Sequence, residues 1–103
     1  MRRLVSLSVA VGLMASAASA LADPDMLRKY NCVACHSNER KMVGPSYKDI
    51  AAKYSADAGA AEKLAKKIRD GGAGVWGQLP MPPNPQMSGA DALTLARYVL
   101  TIK

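Results

Sequence analysis

Cys32-Val33-Ala34-Cys35-His36 is the stretch from which the rest of the chain can be read. C-x-x-C-H is the attachment signature of a c-type haem, and the chain holds only 2 cysteines and 1 histidine. On a turn or helix this spacing brings both sulfurs to one side, where each can bond a haem vinyl group while the adjacent imidazole ligates iron. Two other readings compete. A structural zinc site takes four ligands, of which the chain supplies three as Cys or His, so a carboxylate would have to complete it. A redox dithiol is expected beside a βαβ pattern, which the sequence lacks.

Upstream, Met1-Arg2-Arg3, the apolar run Leu4 to Met14 and the small residues Ala15 to Ala22 have the three regions of a secretory signal peptide. Cleavage after Ala22 is expected, with Ala20 as a second acceptable site. The apolar run is well short of the roughly 20 residues that span a bilayer, so no stable membrane insertion is expected. The expected organisation is a signal peptide over residues 1–22 and one domain over 23–103.

The 81 residues of that domain allow one small core, and chains of this size usually need a metal, disulfide or cofactor to hold them. Without Arg2 and Arg3 there remain 12 Lys and Arg against 8 Asp and Glu, a formal charge of +4. The positive residues are scattered among acids. A nucleic-acid partner, which requires clustered basic residues with interleaved aromatics, is therefore not expected.

Along the domain, Asp23-Pro24 is an N-cap with proline at the first helical position, and a short helix is expected from Pro24 to Asn31. Met42-Val43-Gly44-Pro45 stops any helix and brings backbone close to something flat. The Pro45 carbonyl is a candidate acceptor for the His36 Nδ1 proton, which would fix the tautomer; an ordinary loop explains the same residues. Tyr47, Ile50, Ala51 and Tyr54 predict a second helix. Asp57 or Ser55 is the expected cap of a third, with Ala61, Leu64, Ala65 and Ile68 on one stripe, Lys63, Lys66 and Lys67 facing elsewhere, and Gly71-Gly72 at its end. Ser88 to Asp91 resembles a capping box, followed by a helix to the C-terminus with Ala92, Leu95, Ala96, Val99 and Ile102 on one face.

Between these last two helices, Gly71 to Pro85 is too rich in glycine and proline for helix or strand, and a loop of this length in a small domain is usually functional. Prolines on both sides of Met81 present its thioether with little ordering cost. No second histidine exists for the sixth iron position, and methionine ligation raises the potential of a haem. Met26 and Met42 read as core or loop residues and Met87 borders the last helix. Met81 is thus the candidate ligand, with a core methionine as the alternative.

Cys32 to His36, Lys41-Met42-Val43-Gly44-Pro45, Gly74-Val75-Trp76-Gly77 and Pro80-Met81-Pro82-Pro83-Asn84 together resemble the small bacterial class I cytochromes c of the c-551/c-552 type. The resemblance covers essentially all of residues 23–103. It implies an all-α fold of about four helices around one haem c, attached through Cys32 and Cys35, with His36 and Met81 as axial ligands. It further implies that Pro45 accepts from His36, that Trp76 hydrogen-bonds a propionate and that Asn84 steadies Met81. Lys67 stands where arginine is common, which removes the bidentate geometry from a propionate contact there. Tyr98 replaces a frequent tryptophan, a change of packing. A close crossing of the first and last helices is also implied.

The function so implied is that of a monomeric periplasmic electron carrier, meeting redox partner proteins transiently in a respiratory chain. No Ser/His/Asp set or paired carboxylates argue for catalysis, so the chain is not expected to be an enzyme. Three alternatives are a haem sensor with a displaceable sixth ligand, a thiol-disulfide or zinc module, and a subunit of a larger reductase or oxidase.

Overall fold

The computed structural model describes residues 24–103 together with Ser8 and Gly12. The signal peptide expected over residues 1–22 otherwise lies outside the described residues, as does the expected Asp23 cap. Four α-helices follow in order: α1 Pro24–Lys29, α2 Tyr47–Lys53, α3 Ala60–Asp70 and α4 Gly89–Val99, with a 3-10 turn over Cys32–Ala34. The described residues contain no β-strand, and the expected all-α architecture is what is found.

Two helices start by the same chemistry. Ser46 and Ser88 stand before α2 and α4 in extended conformation, and each Oγ accepts from the backbone N–H three residues on, at 3.1 Å from Asp49 and 3.0 Å from Asp91. This satisfies a backbone donor with no partner inside the helix and sets a carboxylate near its positive end. α3 begins differently from expectation. Its cap is Gly59, without a side-chain bond. Ser55 Oγ instead donates back to the Ala52 carbonyl at the end of α2, and the Asp57 carboxylate accepts from Gly59 N at 2.9 Å, ordering the connection ahead of the helix.

Helix ends also depart from the simple periodic reading. α1 stops at Lys29, short of Asn31, because Asn31 adopts φ 60°, a left-handed conformation that asparagine tolerates. α4 stops at Val99, not at the C-terminus. Thr101 bonds the Tyr98 carbonyl with both its N–H and its Oγ1, and Ile102 N donates to Val99 O, so the last residues tighten into a turn.

The core gathers Leu27 of α1, Tyr47 and Ile50 of α2, Leu64 of α3, Met87, and Ala92, Leu95, Ala96 and Val99 of α4. Ala92 and Ala96 are wholly buried, and their small size lets neighbouring backbone come near. The main partner of α4 is α3, where a close α1 crossing was expected. A six-residue α1 offers little surface. It reaches α4 through Leu27 in the shared core and through the Tyr30 hydroxyl, which donates to the Asp91 carboxylate at 2.5 Å. Met42 is half exposed and belongs to the loop, whereas Met87 is buried at 1% exposure.

Candidate haem site

The helices leave between them a cavity of about 580 Å³, within the range of small-molecule and cofactor sites. Its lining joins residues far apart in sequence. Cys32 arrives on the 3-10 turn after α1 with Cys35 and His36 directly behind it, Lys67 on α3, and Trp76 and Met81 on the glycine- and proline-rich loop. Leu64, Leu95 and Val99 contribute apolar surface from α3 and α4.

His36 is held by the loop that follows it. Its Nδ1 lies 2.7 Å from the Pro45 carbonyl oxygen. A carbonyl can only accept, so Nδ1 carries the proton and donates, and Nε2 keeps a lone pair for a metal. The close approach expected of Gly44 is made to the imidazole itself: a Cβ on Gly44 would stand 2.5 Å from His36 Cε1. Tyr47, at the start of α2, stacks on the same ring with centroids 5.4 Å apart and planes 28° from parallel.

Cys32 and Cys35 stand half-buried in the cavity wall. Among the described residues no three His, Cys, Asp or Glu side chains are grouped to hold a metal ion, which leaves the zinc reading without its remaining ligands.

The methionine side is shaped by backbone. Gly72 and Met81 exchange two antiparallel hydrogen bonds, at 3.0 and 2.9 Å, and the segment between them turns back with Gly74 N donating to Gly77 O. Gly71 has φ 67°, and a Cβ there would collide with the Met81 carbonyl and with the Pro82 and Pro83 backbone. Glycine is thus required both for conformation and for space. Of the methionines among the described residues, Met81 alone lines the cavity.

Asn84 does not line the cavity. Its amide donates to the Ile68 carbonyl at 2.9 Å and its N–H to the Arg69 carbonyl at 3.0 Å, which moors the loop to the last turn of α3. Lys67 turns into the cavity wall, contrary to the expectation that it faces elsewhere with Lys63 and Lys66. Lys66 does face outward, paired with Asp70 at 2.6 Å. The Trp76 ring is 43% exposed and Lys53 Nζ lies 5.2 Å from its centroid.

Two contacts escaped the sequence. Tyr47 was read only as a position of the second helix, although it follows Pro45 by two residues, and Lys53 was not singled out; the contacts with His36 and with Trp76 depend on chain segments that meet in the fold. Tyr47 also supplies a test of fit. Its hydroxyl is buried at the cavity with no hydrogen-bond partner among the described residues. A bound group bearing acceptors would answer it, and apolar walls, two thiols, a free imidazole Nε2 and a thioether together suit a flat apolar macrocycle with a metal at its centre.

The cytochrome c family description matches residues 21–103. The chain is 57% identical over 84 residues to cytochrome c-552 of Nitrosomonas europaea, covering 82% of each, and 50% identical over 96 residues to cytochrome c-551 of Pseudomonas aeruginosa, covering 92% of this chain and 91% of that one. The crystal structure of wild-type Nitrosomonas europaea cytochrome c552 superposes with a TM-score of 0.76 at 57% identity, covering 79% of this chain and all of the other. The expected class is therefore found: the chain belongs to the cytochrome c family, as a small class I electron carrier of the c-551/c-552 type that holds haem c covalently at Cys32 and Cys35 and is not an enzyme.

Proposed function

We propose that the protein carries single electrons through the periplasm between redox proteins of a respiratory chain, for example from a quinol-oxidising complex to a nitrite reductase, a peroxidase or a terminal oxidase. It works as a monomer that meets each partner briefly. Residues 1–22 direct export and residues 23–103 are the working domain. Among the described residues no helix is long and apolar enough to cross a membrane, which is compatible with this reading.

His36 and Met81 are the proposed axial ligands. The observation that carries this is their shared presence in one cavity wall, with His36 Nδ1 already committed to Pro45 so that Nε2 is the ligating atom. The haem, when bound, supplies the ferric-ferrous couple. The chain contributes the rest. Pro45 holds the imidazole tautomer, and the Gly72–Met81 hydrogen bonds and the Asn84 mooring hold the thioether loop through a change of charge. Lys67 and Trp76, both in the wall, are the proposed propionate contacts, Lys67 as a point charge.

Partners would dock where the cavity opens. Val43, Val75 and Leu79 line it and are exposed, Leu79 at 72%, giving an apolar rim suited to short-lived contact. The decisive experiment compares optical spectra of the exported, haem-loaded protein and of Met81→Ala in both oxidation states. The expected wild type is low-spin and six-coordinate with a far-red sulfur-to-iron band and resists carbon monoxide; the variant loses the band and binds carbon monoxide. A five-coordinate wild type would transfer the reading to a gas-binding haem sensor.

A further inference from the structure

The residues Gly44 to Tyr47 close on His36 in complementary ways. The Pro45 hydrogen bond places Nδ1, but a single hydrogen bond leaves the imidazole plane able to turn about the donor–acceptor line. A flat neighbour removes that freedom. Tyr47 provides it, with its ring 28° from parallel to the imidazole.

Tyr47 is well placed to impose an orientation. It is 4% exposed, and its N–H donates to the carbonyl of Ser37, the residue next to His36, at 2.9 Å. It is also the first residue of α2, directly after the buried Ser46 cap. Backbone and ring are therefore both referenced to the segment they hold. Gly44 also stands at the imidazole, where a Cβ would come within 2.5 Å of Cε1, so any side chain there would push the ring.

We propose that Tyr47 is a positioning residue for electron transfer: its ring face sets the rotation of the His36 imidazole plane at the iron, and so contributes to how the unpaired spin of the ferric state is distributed. This rests on the reading of His36 as an axial ligand. The orientations of the two proposed axial ligands, the His36 plane and the Met81 thioether, together govern how unpaired spin spreads over the macrocycle, which is what the ferric haem-methyl proton shifts report.

The test uses the haem-loaded protein. In the diamagnetic ferrous wild type, the His36 ring protons are expected to be strongly displaced by the macrocycle ring current and to show dipolar contacts with the Tyr47 ring protons. In the ferric state, Tyr47→Leu should change the order or spread of the haem-methyl resonances while retaining the sulfur-to-iron band, and Tyr47→Phe, which keeps the stack, should hold the wild-type order. An unchanged pattern in Tyr47→Leu overturns the proposal, as does a change in Tyr47→Phe as large as that in the leucine variant. Should the leucine variant not fold, absence of the Tyr47–His36 contacts in the wild type still overturns it and their presence supports it. Undisplaced His36 protons in the wild type would overturn the ligand reading itself and this proposal with it; displaced protons without the Tyr47 contacts overturn this one alone.

Discussion

The histidine side and the methionine side of the cavity are built on different principles. His36 is held by contacts to its own ring: the Pro45 carbonyl at an edge, Tyr47 on a face, and the missing side chain of Gly44. Met81 is held by its backbone, through two bonds to Gly72, and by Asn84 further along the loop. Tyr47 and Ser46 are buried, whereas most of the residues from Gly72 to Pro83 are exposed. The lesson is that the two proposed ligands should fail in different ways: the imidazole by displacement from a packed site, the thioether by local opening of a moored loop.

Two glycine substitutions should break this contrast most severely. Gly71→Ala places a side chain at φ 67°, which alone costs about 1–3 kcal/mol, and drives Cβ into the Met81 carbonyl. It should abolish the sulfur-to-iron band while leaving histidine ligation intact. Gly44→Ala should do the reverse, pushing the imidazole aside and weakening the histidine–iron bond while the loop amides stay protected. Optical and magnetic circular dichroism spectra check both, and a Gly44→Ala protein with a wild-type spectrum would mean that the histidine side is not the rigid one.

A gentler change sharpens the difference. Asn84→Ala removes the side-chain bond to Ile68 and should cost about 1 kcal/mol. The loss should be concentrated in the loop, so hydrogen exchange at the Gly72 and Met81 amides quickens more than at Ile50 in α2. Equal acceleration everywhere would show that the loop opens only with global unfolding.

The smallest effect is expected at a site between the two regions. Asp57 bonds Lys63 at 2.7 Å and the Gly59 amide at 2.9 Å on the link into α3. The hydrogen bond from Lys63, then that from Gly59, hold the Asp57 carboxyl below its ordinary pKa. Its contribution to stability is therefore complete above the unfolded carboxylate pKa and is lost as pH falls through the lower, folded one. The same hydrogen bond raises Lys63, whose contribution is complete below the ordinary lysine pKa and fades as pH rises through the higher value. Asp57→Asn should flatten the acid end of the stability curve slightly, and more visibly in low salt, without altering either haem-ligand signature.

Local chemistry was legible where neighbours in sequence are neighbours in space. Ser88 announces α4 because a cap acts over three residues, and Gly71 announces the end of α3 because left-handed backbone favours glycine. The same logic misread α3's beginning, since Ser55 and Asp57 each had a local partner that competed with capping: Ala52 behind and Gly59 ahead. Asn31 similarly ended α1 early through a conformation that hydrophobic spacing does not encode.

The sequence by itself determined the haem attachment at Cys32 and Cys35 and the all-α class, and it singled out Gly44 and Pro45 for a close approach and His36 and Met81 as candidate ligands, because these follow from spacing and from the few donors available. Only the tertiary structure decided that Tyr47 lies against His36, that Asn84 reaches the end of α3, that Lys67 turns inward while Lys66 turns out, and that α4 packs chiefly on α3. Those contacts depend on which surfaces the helices bury together, and one chain's periodicity names an apolar face without naming what will cover it.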